Sequence, residues 1–141
     1  MTKSERLDAV VSLIEALSLA GVTVKPLSSA SVTDEGELLL IPPAIAVYLD
    51  GAEYSTVTAD GRLADDRTAG AIYIVAEDFA GGAEPAKAAY ALLDQVEHAL
   101  QGRQLSDQEL LTMDGWTTAA AAAGKVALEL RFTVRGHLQR S

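Results

Sequence analysis

From Lys125 to Arg135 the chain alternates almost without a break, sending Val126, Leu128, Leu130, Phe132 and Val134 one way and Ala127, Glu129, Arg131, Thr133 and Arg135 the other. Side chains on a strand repeat every two residues, so this segment reads as a strand with one core face and one wet or interfacial face. Just upstream the period changes. Ala89, Leu92, Leu93, Val96 and Leu100 form a single stripe on a helix from Pro85 to Gln101, with Pro85 suited to the first helical position and Gly102 to the stop. A chain that holds both must bury a helix stripe against a sheet face.

The remaining elements follow by the same reasoning. Thr2 and Glu5 have capping-box spacing, and Leu7, Val10, Val11, Ile14 and Leu17 fall on one face of a helix expected to run from about Lys3 to Ala20, with Gly21 as its stop. Val22 to Lys25 reads as a short strand, Ser28 to Gly36 as polar loop, and Leu38 to Ile41 as strand-like before Pro42 and Pro43. Ala44 to Leu49 is apolar on both faces, as in a covered strand. Asp50-Gly51 is a two-residue turn signal, with Glu53 to Thr58 as its hairpin partner. Ala59 to Thr68 is a charged loop and Gly70 to Glu77 a strand. Gln108 to Met113 and Gly115 to Thr118 are strand pieces around Asp114-Gly115, and Ala119 to Gly124 is a small-residue linker. The expected fold class is α+β, two helices packed on one side of a mainly antiparallel β-sheet. Residues 1–135 are expected to form one domain and residues 136–141 a short C-terminal tail.

At 141 residues the chain can bury a real core without staples, and it contains no cysteine, which rules out disulfides, thiol chemistry and thiolate metal sites. Its longest apolar stretches are too short to span a bilayer, and MTKSERLD lacks a signal-peptide apolar region, so a soluble protein inside the cell, with no membrane partner, is expected. The formal net charge is −9. An acidic chain repels phosphate, which argues against tight binding to a nucleic acid backbone. The same sign suits a surface along which DNA slides without sticking.

Little in the sequence points to catalysis. His98 and His137 are the only histidines, and no third ligand has credible spacing for a metal. Serines are plentiful, but none sits in a nucleophile-elbow pattern. The Ala80-Gly81-Gly82-Ala83 turn before the helix could cradle phosphate, yet Glu77, Asp78 and Glu84 crowd it and no Lys-Ser or Lys-Thr pair follows. The pairs Asp34-Glu35 and Asp65-Asp66 read as solvated loop carboxylates. Trp116, the single tryptophan, is read first as a packing residue and second as an interface residue, with Met113 nearby.

The order PPAIAVYLDG, then a charged loop, AGAIYIVAEDFAGG, AKAAYALLDQVEHALQG and KVALELRFTVRG resembles the Mu-like phage tail terminator family. The most specific pieces are Ala89-Tyr90-Ala91-Leu92-Leu93-Asp94 with Leu100-Gln101-Gly102, and Leu130-Arg131-Phe132-Thr133-Val134-Arg135. The resemblance implies a lambda-type terminator fold. It also implies a homo-hexameric ring that caps the tail tube of a contractile or long-tailed phage, ends tube polymerisation and offers a face for head-tail joining. The implied partners are the tail tube protein, with sheath and head connector proteins beyond it, while DNA passes through the lumen without specific binding. The implied location is the virion tail, assembled in the host cytoplasm. No cofactor, metal or catalytic residue comes with the family. The Ser28 to Glu37 loop and the Ala-rich segment depart from its pattern.

A ring subunit needs two unlike faces that meet head to tail. The residues offer the outer face of the last strand, with Glu129, Arg131 and Arg135, and the acidic stretch with Asp60, Asp65 and Asp66. Arg131 and Arg135 are expected to meet Asp60, Asp65 or Asp66 of the next subunit, and Trp116 is a further interface candidate. A channel lined by the acidic excess of residues 51 to 100 would use Asp65 and Asp66. The rival readings are a head-tail connector or tail completion protein and, further off, a small-ligand binding domain or enzyme with a cleft between the second helix and the sheet.

Overall fold

A computed structural model of the chain describes residues 1–27, 40–77, 84–122 and 124–139. The elements are α1 (Lys3–Glu15), β1 (Thr23–Pro26), β2 (Ala44–Thr56), β3 (Leu63–Glu77), α2 (Glu84–Leu100), β4 (Gln104–Ser106), β5 (Glu109–Ala122) and β6 (Lys125–Gln139). They form one six-stranded sheet in the order β1-β2-β3-β6-β5-β4. Every neighbouring pair is antiparallel except β1 and β2, which run parallel. Half of the expected strand-like segment Leu38 to Ile41 falls outside the described residues, and the polar loop from Ser28 and the Ala80 to Ala83 turn fall wholly outside them.

The expected layer arrangement, two helices laid on one side of a sheet, is corrected by this structure. The described residues are mostly strand, with only two helices, and the six-stranded sheet curls into a half-barrel. The cause is strand length. β2, β3, β5 and β6 hold 13, 15, 14 and 15 residues, because each runs through a segment that reads as a break. Asp50-Gly51 is a bulge rather than a hairpin turn: β2 continues past it, its register against β3 shifting between Leu49 and Gly51. Asp114-Gly115 is likewise a register shift inside β5. Ala119 to Ala122, expected as linker, lies within β5, and β6 runs on to Gln139 through much of the expected tail. Long strands accumulate twist, and bulges add to it, so such a sheet curls.

Local chemistry explains the elements that formed as expected. The capping box is in place: Glu5 N–H donates to Thr2 Oγ1 at 3.2 Å and Thr2 N–H to Glu5 Oε1 at 3.3 Å. Helix α1 stops at Glu15, short of Gly21. Leu17 and Ser18 close tight turns onto Ile14 and Glu15, and Ser18 takes a left-handed φ of 52°. This early end lets Leu19, Val22 and Val24 pack against the core.

The main core joins Val10, Val11 and Ile14 of α1 and Ala89, Leu93, Val96 and Leu100 of α2 to Ile45, Val47, Ile72, Ile74, Leu128, Leu130, Phe132 and Val134 of the sheet. A smaller cluster on the other sheet face holds Leu40, Ala44, Ala46, Val75 and Ala127, with Tyr73 against it. β3 and β6 pair over their whole length, from Leu63↔Gln139 to Glu77↔Lys125. At Gly70↔Phe132 the phenyl ring lies directly over the glycine. A Cβ there would collide with that ring and come within 2.6 Å of the Tyr48 carbonyl oxygen.

Candidate interface surface

On the face of the sheet away from the main core, the alternation of β6 presents Glu129, Arg131, Thr133, Arg135 and His137 in one row. Arg131 is held within its own chain. Its Nη2 donates to Asp50 Oδ2 at 2.7 Å and its Nη1 to Glu129 Oε1 at 2.8 Å. These carboxylate bonds outweigh partial burial and push the guanidinium pKa up. Tyr48 and Tyr73 stack beside this group with centroids 5.6 Å apart. Burial first, then the Tyr48 hydroxyl and the Glu129 charge, push the Tyr73 phenol up.

Arg135 is exposed and stands directly opposite Arg67 of β3. Asp65, on β3, lies opposite His137, with Oδ1 3.3 Å from its Nδ1. Asp60 organises the turn between β2 and β3, accepting from Thr58 Oγ1 at 2.7 Å and from the Arg62 N–H at 3.1 Å. The Thr58 hydroxyl, then the Arg62 amide, hold its carboxyl below the usual range. Trp116, on β5, is 47% exposed and tilts against Tyr90 of α2, with centroids 5.6 Å apart.

Asp66 does not belong to this surface. The expected charged loop is strand from Leu63 on, and strand alternation turns Asp66 and Thr68 inward on the face that goes on to Gly70 and Ile72. Asp66 is only 2% exposed. It meets Arg6 of α1, a 1% exposed residue not foreseen as important, whose Nη1 donates to Asp66 Oδ2 at 2.8 Å and to Thr68 Oγ1 at 2.7 Å. On its other side Arg6 forms a two-pronged pair with Glu109 of β5, Nε to Oε2 at 2.6 Å and Nη2 to Oε1 at 3.0 Å. Burial alone would lower the guanidinium pKa, but its hydrogen bonds with Glu109 and Asp66 prevail and hold it raised. Burial likewise presses the Asp66 carboxyl up, and the bonds from Arg6 and Thr68 prevail to hold it below its usual value. Buried and saturated, Asp66 is removed from both the subunit contact and the channel lining expected of it. The Asp65-Asp66 pair is thus split, one residue solvated and the other in the core.

Two strand edges stay open among the described residues. β1 pairs with β2 only over Ala44 to Val47, leaving the outer edge of β2 from Tyr48 to Thr56 without a strand neighbour. β4 pairs with β5 only at Glu109 and Leu110, and β5 runs on through Trp116 and the alanines without a strand on that side. Among the described residues no three His, Asp or Glu side chains gather into a metal-binding group.

No family model matches the chain, and no curated protein matches it. Its fold does match a solved structure, a chain of the "Virion of native gene transfer agent (GTA) particle". That likeness covers 93% of each chain with a TM-score of 0.53 at 20% sequence identity.

Proposed function

We propose that this protein is a virion structural component, a tail terminator whose copies close into a hexameric ring on the end of the tail tube. The observation that carries this reading is the fold shared with a chain of a virion particle over 93% of both molecules. The open edges of β2 and β5 support it further. They lie toward opposite sides of one sheet and are unlike each other, the arrangement a head-to-tail ring contact uses. Exposed edges left unpaired in a monomer template association, so a chain with two of them is suited to assembly. In this reading the role is structural rather than catalytic, the tail tube protein is the partner below, and head connector proteins are the partners above.

A head-tail connector is the second reading, favoured by the same likeness to a virion chain. The test is native mass spectrometry of the purified protein over a range of concentrations, followed by electron microscopy and a binding assay with tail tube protein. A closed hexamer that caps tube ends supports the terminator. Assembly that ignores the tube but binds a head portal supports the connector. A monomer that binds neither ends both readings.

A further inference from the structure

Arg67 and Arg135 are directly opposed in the β3–β6 register, and both side chains are exposed on the outer face. Like charges directly opposite one another destabilise an antiparallel pair. Among the described residues, neither arginine forms a salt bridge, although Arg6 and Arg131 each engage two carboxylates. Glu53 of β2 stands opposite Arg67 in the strand register and offsets part of its charge, without closing a salt bridge among the described residues. The two arginines border shallow depressions. One of about 200 Å³ is lined by Asp65, the Arg6-bound Asp66, Arg67, Gln108, Arg135 and His137. The other, of about 440 Å³, is lined by Asp50, Glu53, Arg67, Ala69 and Thr133. Arg67 lines both.

We propose that Arg67 and Arg135 together form a receptor for a carboxylate side chain of a second copy of this protein at the subunit contact. This rests on the ring reading. The chemistry favours a single carboxylate over a nucleic acid backbone. Asp65, Glu53 and Asp50 stand beside the depressions and repel an extended polyanion, whereas one carboxylate can bridge two guanidinium groups with charge-assisted bonds. The second copy follows from charge. Two molecules of net charge −9 repel at long range, and a paired, uncommitted cation site lets one copy's acidic surface approach the other in a fixed register.

The test uses Arg67→Glu, Arg135→Glu and, as a control with the same change in net charge at another exposed site, Arg103→Glu. Both reversals place unlike charges across β3 and β6, but Arg67→Glu also sets a carboxylate opposite Glu53 of β2, so thermal stability is expected to hold or rise in Arg135→Glu and to stay close to the original in Arg67→Glu. The assembly midpoint, read by native mass spectrometry and sedimentation, is expected to move to at least about tenfold higher concentration, with Arg103→Glu close to the original protein. That combination, a sheet of comparable or higher stability with weaker assembly, separates a lost contact from misfolding. Rings that form equally well in all variants overturn the proposal and leave the ring reading standing. An original protein that stays monomeric even with tube protein overturns both. Duplex DNA binding lost in the two variants, with assembly unchanged, overturns it in favour of a phosphate site.

Discussion

Arg6 and Asp66 are separated by 60 residues and joined by a 2.8 Å hydrogen bond inside the protein. With Glu109 and Thr68 they tie α1 to β3 and to β5, three elements that no short-range signal brings together. Gly136 makes room, since a Cβ there would come within 3.0 Å of Arg6 Nη2. The group carries two carboxylates and the Arg6 guanidinium, with the N-terminal ammonium of Met1 at its rim, 3.1 Å from Glu109 Oε1. Its donors and acceptors are well matched, so its geometry specifies one docking angle for the helix even where its net contribution to stability is small.

Removing Arg6 alone is the severe change. Arg6→Ala leaves Asp66 and Glu109 buried without their main partner and is expected to cost about 3–5 kcal/mol. Replacing all three by apolar residues of similar volume, as in Arg6→Met, Asp66→Leu and Glu109→Leu together, is expected to cost much less or nothing. Denaturant unfolding of both proteins checks this. A triple variant as unstable as the single one would mean that packing rather than charge governs the site.

The same group sets an acid limb of stability. A carboxyl held below its unfolded value of 3.8 contributes stability that is fully present above that pH and is lost as the pH falls through the lower folded value. The stability gap between the original protein and Asp66→Asn is therefore expected to be constant from neutrality to about pH 4 and to shrink below it. Unfolding curves recorded from pH 7 down to pH 2 give the answer. A gap that stays constant to the acid end would mean that Asp66 is not held as an ion.

This buried group shows what the sequence made legible and what it hid. Arg6 lies one helical turn before Val10 and two before Ile14, so helical spacing alone puts it on the buried face. Asp66 and Thr68 continue the alternation of Gly70, Ile72 and Ile74, and Glu109 stands two residues before the buried Leu111. Charge obscured the period at Asp66 and Thr68, because a run of Asp and Gly reads locally as a turn, whereas Arg6 and Glu109 stand on a helix and a strand that the sequence does signal. Asp50-Gly51, Asp65-Asp66 and Asp114-Gly115 are instead held in strands by pairing with distant partners, and tertiary pairing overrides local turn chemistry. The apolar period of β6 and the α2 stripe were readable because burial and local preference agree there. The outer row Glu129, Arg131 and Arg135 was readable for the same reason. The opposition of Arg67 and Arg135 was not, since a register that joins residues 68 apart in sequence leaves no local trace.

Gly70 is a position where no larger residue fits. Gly70→Ala drives a methyl group into the Phe132 ring and toward the Tyr48 carbonyl, and overpacking of this kind costs about 1–3 kcal/mol. Phe132→Leu in the same chain is expected to recover only part of the loss, because the carbonyl is backbone and does not yield. Thermal denaturation of the single and double variants checks this. Full recovery in the double variant would place the whole clash on the ring.

Trp116 reports on the open edge of β5. It is the only tryptophan in the chain, and it stands beside a strand edge with no neighbour among the described residues. Nearly half exposed, it contributes to the monomer chiefly through its tilted contact with Tyr90. Trp116→Ala is therefore expected to change monomer stability by no more than about 1 kcal/mol. If neighbouring copies meet along this edge, the indole loses water on assembly and its fluorescence emission moves to shorter wavelength as concentration rises through the assembly midpoint. The same variant then weakens assembly far more than it weakens the fold, because aromatic side chains at the centre of an interface carry a large share of its energy. Emission that stays fixed while rings form would place the β5 edge outside the contact and leave the outer face of β3 and β6 as the surface on which copies meet.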